Sequence, residues 1–194
     1  MNDRVQLRKE LRKKRQDLGA TAQQAAAAQL TQLLSQHPLF TTSQHIAAYI
    51  ANDGEVDATA LIQLAYQLGK SCYLPVVNDG STLTFVAYQP GDHLAPNRFK
   101  IPEPKLEIAK IIAPAMIDLV LVPLVGFDLQ GNRLGMGAGY YDRTFAFLKT
   151  QRSLSKARLV GLAYDFQKIA ALAAESWDVP LTAVATEQQI YEFI

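Results

Sequence analysis

Two amphipathic segments open the chain. Leucines recur at helical spacing through residues 3–18, and Gly19 follows as a residue that commonly ends a helix. The next segment is rich in Ala, Gln and Leu, and Thr21 at its start is a good N-cap. The pattern therefore predicts one helix over residues 3–18 and a second from Thr21 to about Gln36.

Short apolar runs bounded by turn-forming residues predict the strands of a sheet. The run over residues 119–123 is the strongest candidate for a strand that is buried on both faces. The sequence Asn-Asp-Gly-Ser between two of the runs favours a hairpin. The predicted strands span residues 45–51, 72–77, 83–88, 119–123, 158–164 and 183–186.

Helical segments alternate with these strands. Asp57 can cap a helix over residues 58–68, an aromatic helix is expected over 140–149, and a short helix over 168–175. Residues 89–104 are rich in Pro and predict a surface loop, a place where function is often found. The alternation predicts a single three-layer α/β/α domain with a mostly parallel central sheet, made by the whole chain of 194 residues.

The composition fits a folded protein without a strong charge field. Apolar residues make up 49% of the chain and charged residues 19%, and the net charge is +1. These values give no support to nucleic-acid or membrane partners. Cys72 is the only cysteine, the N-terminus lacks the apolar run of a signal peptide, and the most apolar run, residues 119–127, is too short to cross a membrane. We therefore expect a cytoplasmic protein.

The segment GNRLGMGAGYYDR, residues 131–143, is dense in glycine. It lacks the Gly-Lys-Ser/Thr of a Walker A loop and the third glycine of a dinucleotide fingerprint. Its place, after a buried strand and before a helix, favours a loop whose backbone N–H groups bind an anion. Arg133 could add a bidentate phosphate contact, and Asp142 could hold a magnesium ion that bridges phosphate oxygens. The alternative is a mobile turn whose tyrosines pack on the core.

The N-terminal helix is strongly basic, since seven of the nineteen basic residues lie within the first fifteen positions. Arg4, Arg8, Arg12 and Arg15 fall on one stripe of that helix. A solvated face is the ordinary role of such a stripe, and the chemistry of the sequence favours it. Nucleic-acid binding lacks interleaved aromatics and overall positive charge. A further alternative folds the stripe against the glycine segment, where Arg4 and Arg8 would neutralise a triphosphate.

Two further carboxylates have alternative roles. Glu55 follows a predicted buried strand, at a place where ligands bind in open α/β sheets, and could accept two hydrogen bonds from an amidine-like edge such as that of a pterin. A surface position is the other interpretation of Glu55. Asp178 precedes Pro180 and is either a turn residue or a second acidic metal ligand near Asp142. The three histidines are scattered and show no zinc-ligand spacing.

These motifs, taken in order, resemble the 5-formyltetrahydrofolate cyclo-ligase family, also called the methenyltetrahydrofolate synthetases. The most specific motif is PLVGFDLQGNRLGMGAGYYDR, supported by LRKELRKKR, NDGEVD, NRFKIPEP and WDVPLTAVATE. The resemblance covers essentially the whole chain. It implies a three-layer α/β enzyme that uses ATP and Mg²⁺ to phosphorylate the formyl oxygen of 5-formyltetrahydrofolate. Attack by the linker amine and loss of phosphate then give 5,10-methenyltetrahydrofolate and ADP.

The resemblance also implies the residues of the site. The ATP contacts fall on Arg4, Val5, Gln6, Leu7, Arg8, Arg133, Leu134, Gly135, Met136, Gly137, Ala138, Gly139, Tyr140 and Tyr141. Two of these, Arg133 and Tyr141, are the implied catalytic residues. The folate contacts fall on Ile50, Glu55, Leu134, Met136 and Ala138, and the segment IPEP is expected to help close the folate site. The Mg²⁺ ligands fall on Asp142 and Asp178.

The chain departs from the family pattern at three positions. Some relatives carry basic residues where this chain has Met136 and Ala138, and an Asp where it has Thr182. Two rival functions remain, a diverged ATP-binding paralogue with another substrate and a non-catalytic folate- or nucleic-acid-binding protein. The Glu55 segment argues against the first rival, and the adjacent Tyr-Tyr-Asp against the second. We expect a monomer with no nucleic-acid or membrane partner.

Overall fold

The computed structural model describes residues 3–151 and 155–193, with side chains placed for all of these except Asp3 and Ala109. The helices in this part of the chain are α1 (Asp3–Asp17), α2 (Ala20–Gln36), α3 (Pro38–Thr41), α4 (Thr59–Gln67), α5 (Tyr140–Thr144) and α6 (Leu148–Gln151). The strands are β1 (His45–Ala47), β2 (Ser71–Val77), β3 (Leu83–Tyr88), β4 (Leu94–Pro96), β5 (Pro102–Pro104), β6 (Ile111–Ile112), β7 (Leu119–Pro123), β8 (Gly126–Phe127), β9 (Arg133–Leu134), β10 (Arg158–Leu162), β11 (Ala183–Ala185) and β12 (Ile190–Glu192).

Eight of the strands form one mixed sheet in the order β12-β11-β10-β7-β1-β2-β3-β6. The five consecutive strands from β11 to β2 are parallel to one another. Antiparallel strands extend this parallel centre at both ends. The predicted α/β class with a mostly parallel sheet is therefore confirmed.

The sheet is covered by apolar side chains on both faces, which gives the three layers. On β7, Leu119 and Leu121 enter one core with residues of α2 and α4. Val120 and Val122 enter the other core, with Phe145 beyond the end of α5 and Leu148 of α6. This alternation is the expected result of a strand buried on both faces. No helix in residues 3–151 or 155–193 is both long and apolar enough to cross a membrane.

Three helix predictions need correction. The N-cap of α2 is Gly19, which has a positive φ, and Thr21 therefore lies inside the first turn of the helix. The helix predicted over 140–149 is divided into α5 and α6 around the buried Phe145. Residues 168–175 form no helix, because Phe127 and Asp128 accept hydrogen bonds from the backbone of this segment instead.

Residues 89–104 also differ from the prediction. The Pro-rich segment contains a two-stranded antiparallel ribbon of β4 and β5 rather than a structureless loop. The Glu103 side chain anchors this ribbon, since it accepts hydrogen bonds from the backbone N–H of Val77 at 3.1 Å and from the Asn97 amide at 2.9 Å. Because Val77 ends β2, the ribbon is fixed against the edge of the sheet where the parallel strands end.

Candidate active site

A cleft of about 650 Å³ opens at the carboxyl edge of the parallel strands. Tyr49 and Ile50 follow β1, Val77 ends β2 and Pro123 ends β7, and all four line the cleft. The carboxyl edge is where open parallel sheets bind their ligands, because loops from neighbouring strands converge there. Further walls come from the first turns of α1, the glycine loop and the β4–β5 ribbon.

The glycine loop, Gly135–Gly139, lies between β9 and α5, and all five of its residues line the cleft. A short β8–β9 hairpin leads into it, with its turn fixed by Asp128. Gly137 and Gly139 have φ values of +105° and +68°, in a region where a residue with a side chain is strained. Two of the three alternating glycines thus have a local cause, because Gly137 and Gly139 adopt this backbone conformation at the cleft.

The first two arginines of the α1 stripe line the cleft, and the second of them, Arg8, lies against this loop. Arg8 Nε donates to the carbonyl oxygen of Gly135 at 2.8 Å. Burial and the neighbouring guanidinium of Arg4 lower the pKa of Arg8. Arg4 pairs with Asp178 at 3.2 Å and with Glu175 at 3.6 Å, and its buried Nε has no hydrogen-bond partner within the described residues. The geometry therefore agrees with the alternative in which α1 folds against the glycine segment.

The other two arginines of the stripe bind the turn that follows β1. Arg12 pairs with the Asp53 carboxylate at 2.8 Å. Arg15, only 1% exposed, donates to the same carboxylate at 2.7 Å, to the Asp53 carbonyl at 2.8 Å and to the Leu124 carbonyl at 3.2 Å. A solvated face, which the sequence favoured, is thus the wrong interpretation of this stripe. Its partners are distant in the sequence, so the spacing alone did not reveal them.

Glu55 lies in the cleft wall next to the side chain of Arg15. One carboxylate oxygen accepts from the backbone N–H of Asn52 at 3.1 Å, and the other lies 4.0 Å from Arg15. Burial raises the pKa of Glu55, and the positive charge of Arg15 opposes that effect. The surface interpretation of Glu55 is therefore wrong, because this carboxylate is a half-buried group of the cleft.

Arg133 and two carboxylates form the charged part of the site. Arg133 is 6% exposed, and it donates to the Asp142 carboxylate and to the Val179 carbonyl. Asp142 Oδ1 also accepts from the Val179 N–H at 3.1 Å, while Asp178 Oδ2 accepts from Arg4 and from the Glu175 N–H at 3.0 Å. Asp142 binds Val179, and Asp178 directly precedes Val179 in the chain. The two carboxylates therefore lie in the same wall of the cleft. Each keeps a second carboxylate oxygen outside these bonds.

The two tyrosines of the signature have different surroundings. Tyr141 stacks on Phe145 with ring centroids 6.5 Å apart, and burial together with the Glu55 charge raises the pKa of its phenol. Tyr141 therefore stays protonated and is a hydrogen-bond donor rather than a base. Tyr140 lies under the ribbon, where its hydroxyl accepts from Arg98 at 2.6 Å and its ring packs edge-on against Phe99.

Some residues implied by the family resemblance do not line the cleft. Val5 and Gln6 are exposed on the outer side of α1, because only one side of a helix can face the cleft. Leu7 and Leu134 pack in a small apolar core with Leu11 under the glycine loop. The implied residues that do line the cleft are Arg4, Arg8, Ile50, Glu55, Arg133, Gly135, Met136, Gly137, Ala138, Gly139, Tyr140, Tyr141, Asp142 and Asp178.

Positive charge reaches the glycine loop from outside it. Met136 and Ala138 line the cleft, and the guanidinium of Arg8 lies beside Gly137. Arg143, one turn into α5, donates to the Ala138 carbonyl. Arginines from two other segments thus stand next to the loop, which contains no basic residue of its own. Thr182, the other departure, does not line this cleft.

The cleft also contains residues that sequence reasoning missed. Phe99, Ile101 and Pro102 of the ribbon line the cleft together with Leu74 of β2 and give it an apolar half. Two of these residues, Ile101 and Pro102, belong to the IPEP segment that was expected to help close the folate site, whereas Phe99 and Leu74 were missed. Trp177, the only tryptophan, lines the other half beside Asp178. The sequence feature that could have revealed Trp177 is the presence of a large aromatic residue within a polar segment.

The fold and the cleft define an α/β protein with a cleft lined by arginines and a glycine loop at the carboxyl edge of its parallel strands. The family model for the 5-formyltetrahydrofolate cyclo-ligase family matches residues 1–187. The chain therefore belongs to the 5-formyltetrahydrofolate cyclo-ligase family and is an enzyme.

Individual relatives agree with this assignment. A 5-formyltetrahydrofolate cyclo-ligase of Escherichia coli is 36% identical over 94% of this chain and 100% of that protein. One from Haemophilus influenzae is 40% identical over 92% of this chain and 94% of that protein. Among solved structures, the 5,10-methenyltetrahydrofolate synthetase of Aquifex aeolicus superposes with a TM-score of 0.81 at 31% identity, covering 97% of this chain and 92% of that one.

Proposed function

We propose that this protein catalyses the ATP- and Mg²⁺-dependent cyclisation of 5-formyltetrahydrofolate to 5,10-methenyltetrahydrofolate, with release of ADP and phosphate. The observation that carries the proposal is the single cleft in which the α1 arginines, the glycine loop and Glu55 meet. The family membership supports the folate substrate. The proposal places the reaction in a cytoplasmic monomer.

The charged half of the cleft suits a triphosphate. Arg4 and Arg8 line it from α1, and the buried Arg133 lines it as well. The buried Nε of Arg4 offers an N–H group that a phosphate oxygen would satisfy. Each terminal nitrogen of Arg133 has a second N–H besides those bound to Asp142 and Val179. These donors are held in place before ATP binds, so little reorganisation is needed when phosphoryl charge develops.

The residues present also fit magnesium. Mg²⁺ is commonly bound by one or two carboxylates together with substrate phosphates and water. Asp142 and Asp178 supply two carboxylates, and no cluster of three or more His, Cys, Asp or Glu ligands occurs in the described part of the chain. A site completed by the phosphates of ATP is consistent with this donor set. Bound magnesium would neutralise charge on the transferring phosphoryl group.

The opposite half of the cleft suits the folate. Leu74, Phe99 and Ile101 offer an apolar wall for its rings, while Glu55 offers a carboxylate for the hydrogen-bonding edge of the pterin. Ile50 follows β1 and lies in the same wall. The two substrates then meet near Tyr141 and the glycine loop, where Tyr141 can donate a hydrogen bond.

The chemistry proceeds by activation of an oxygen that is otherwise a poor leaving group. The formyl oxygen attacks the γ-phosphorus of ATP, the bond to the bridging oxygen breaks, and ADP leaves. The linker amine of the folate then attacks the formyl carbon. This attack closes the ring, and loss of the amine proton and departure of phosphate with the former formyl oxygen then form the carbon–nitrogen double bond of the methenyl product. The protein orients the reactants and stabilises charge on the phosphoryl group.

The proposal is tested by mixing the protein with 5-formyltetrahydrofolate, ATP and Mg²⁺ and following the near-ultraviolet absorbance of the methenyl product. We expect absorbance to rise in step with ADP release, and each omitted component to stop it. Folded protein at saturating substrates that gives no rise would refute the activity. ADP release without methenyl product would instead favour an ATP-using paralogue with another substrate.

Replacing Glu55 with Gln is expected to raise KM for the folate about 10-fold or more and to leave KM for ATP nearly unchanged. In the wild type, KM for the folate should rise as pH falls, because protonation removes an acceptor from the carboxylate. This rise should begin above the usual glutamate range, since burial raises the pKa of Glu55. Initial rates over a pH series measure both effects.

The matched control for Glu55→Gln is Asp57→Asn. Asp57 is an exposed carboxylate two residues away, and it accepts from the Thr59 N–H at the start of α4. Its amide variant should keep the wild-type pH profile, whereas the Glu55→Gln profile should be flatter. Equal rises in both KM values for Glu55→Gln would contradict the folate role.

A further inference from the structure

Trp177 occupies an unusual position for a tryptophan. It is 64% exposed, and its neighbours Glu175 and Asp178 line the same wall of the cleft. Large aromatic side chains at the surface commonly mark a place where a ligand or partner covers them. The proposed chemistry uses the arginines, the glycine loop and Glu55, and so gives this ring no role.

The turn that carries Trp177 is firmly held. Asp178 N–H donates to the Glu175 carbonyl, and Glu175 N–H donates back to the Asp178 carboxylate, both at 3.0 Å. Arg4 pairs with both of these acidic side chains from α1, and Lys149 donates to the Ser176 carbonyl. The indole is therefore presented on a rigid support, so little conformational entropy is lost when a ligand stacks on it.

The neighbours of Trp177 indicate which substrate covers it. Arg4, which we assign to the triphosphate, contacts the residue next to Trp177. The apolar wall that we assign to the folate belongs to β2 and the ribbon, which Glu103 ties to Val77. Trp177 thus belongs to the nucleotide half. The part of a nucleotide that an indole recognises is the flat base, which stacks on aromatic rings.

We propose that Trp177 stacks on the base of the bound nucleotide and is a positioning residue for ATP. This inference rests on the proposed function for the identity of the nucleotide, but its test needs only nucleotide binding. Because stacking reads the face of a base rather than its edge, Trp177 contributes affinity with little discrimination among purines.

The single tryptophan makes a direct test available. With excitation at the red edge of the indole band, where purines do not absorb, fluorescence from the native protein reports on Trp177 alone. We expect ATP and ADP, with Mg²⁺ present, to quench or shift this emission in a saturable way. Inorganic tripolyphosphate should compete for the site without the same spectral change, since it has no base.

Kinetics with matched variants complete the test. Trp177→Ala should raise KM for ATP about 5- to 100-fold with little change in kcat or in KM for the folate, and Trp177→Phe should restore most of the loss. The control is Ile101→Ala, which shortens a half-buried side chain of the apolar wall and should raise KM for the folate instead. Thermal unfolding monitors the fold of each variant.

The outcomes separate this inference from the proposed function. An unchanged KM for ATP in Trp177→Ala, or a rise in KM for the folate instead, would overturn the stacking role while leaving the cyclisation intact. Saturable changes in emission with ATP, without any methenyl product, would support the stacking role and refute the cyclisation. Equal spectral changes with tripolyphosphate would show that Trp177 senses the phosphates and not the base.

Discussion

Arg133→Ala lowers kcat for cyclisation about a thousandfold or more, which we expect to be the largest effect of any single substitution in the cleft. The side chain is 6% exposed and holds both the Asp142 carboxylate and the Val179 carbonyl. Its removal takes away a fixed positive charge at the place where, in the proposed reaction, phosphoryl charge develops. It also releases Asp142, so two contributions to catalysis are lost together. Initial rates at saturating ATP and folate measure the loss.

Two further measurements test whether Arg133 contacts the phosphoryl group directly or acts only by holding Asp142. If Arg133 acted only by holding Asp142, excess Mg²⁺ would restore turnover, whereas a direct phosphoryl contact leaves the loss in place at saturating Mg²⁺. Arg133→Lys retains a charge but not the planar fork, so it should recover only part of the rate. Arg158, exposed at the amino end of β10, supplies the matched control, and Arg158→Ala should stay within about twofold of wild type.

Urea denaturation decides whether the Arg133 variants are folded. Truncation leaves the Val179 carbonyl and the Asp142 carboxylate without their donor, which costs about 1–3 kcal/mol of unfolding free energy. The lysine variant should lose less, because it can reach one of the two acceptors. Wild-type turnover in folded Arg133→Ala would remove this residue from the site altogether.

The parts of the fold that the sequence predicts well are those with local causes. The apolar run of β7 predicts a strand buried on both faces, and its side chains alternate between the two cores. The Asn-Asp-Gly-Ser turn predicts the β2–β3 hairpin, which the register of that pair confirms. Asp57, predicted to cap α4, lies one residue before the N-cap Ala58 but still accepts from the Thr59 N–H at 2.8 Å. Each of these features depends on residues that are close in sequence.

The predictions that were wrong involve distant partners. Residues 168–175 have a helical composition, but Ile169 and Leu172 donate their backbone N–H groups to Phe127 and Asp128 of the β8–β9 hairpin. The ribbon of β4 and β5 depends on Glu103 reaching Val77. Tertiary hydrogen bonds of this kind override local propensity, and no local pattern contains them.

The site shows the same division between local and distant causes. The glycine loop and Asp142 stand in one continuous motif, so the sequence predicts within a few residues which segment lines this part of the cleft. The roles of the α1 arginines depend on chain segments about 40 to more than 100 residues away, such as Asp53 for Arg12 and Gly135 for Arg8. For this reason the sequence predicts the helical stripe of arginines but not their contacts with the rest of the protein.

The α1 helix also joins the two halves of the cleft. Its first turns contact the glycine loop and the Trp177 turn through Arg8 and Arg4, and its last turns contact the turn that carries Glu55. One rigid element therefore fixes the spacing between the proposed phosphate site and the proposed pterin site. Because the reacting atoms of two substrates must meet, such a fixed spacing favours the reaction.

Arg15 ties the last turns of α1 to the turn that carries Glu55. We expect Arg15→Met to lower the free energy of unfolding by about 3–5 kcal/mol. The guanidinium is 1% exposed and holds the Asp53 carboxylate, two backbone carbonyls and, at 4.0 Å, Glu55. Methionine fills much of the volume but leaves two acidic side chains without this positive charge. Urea denaturation at neutral pH measures the loss.

Arg12→Met is the matched control, since Arg12 binds the same Asp53 carboxylate but its side chain is 38% exposed. Water can replace its hydrogen bond, so the loss should stay below about 1 kcal/mol. Whatever fraction of Arg15→Met is folded should show a raised KM for the folate, because the turn carrying Glu55 is no longer tied to α1. Equal losses of stability for the two variants would show that burial of Arg15 does not govern the turn, and α1 would then not be the element that sets the position of Glu55.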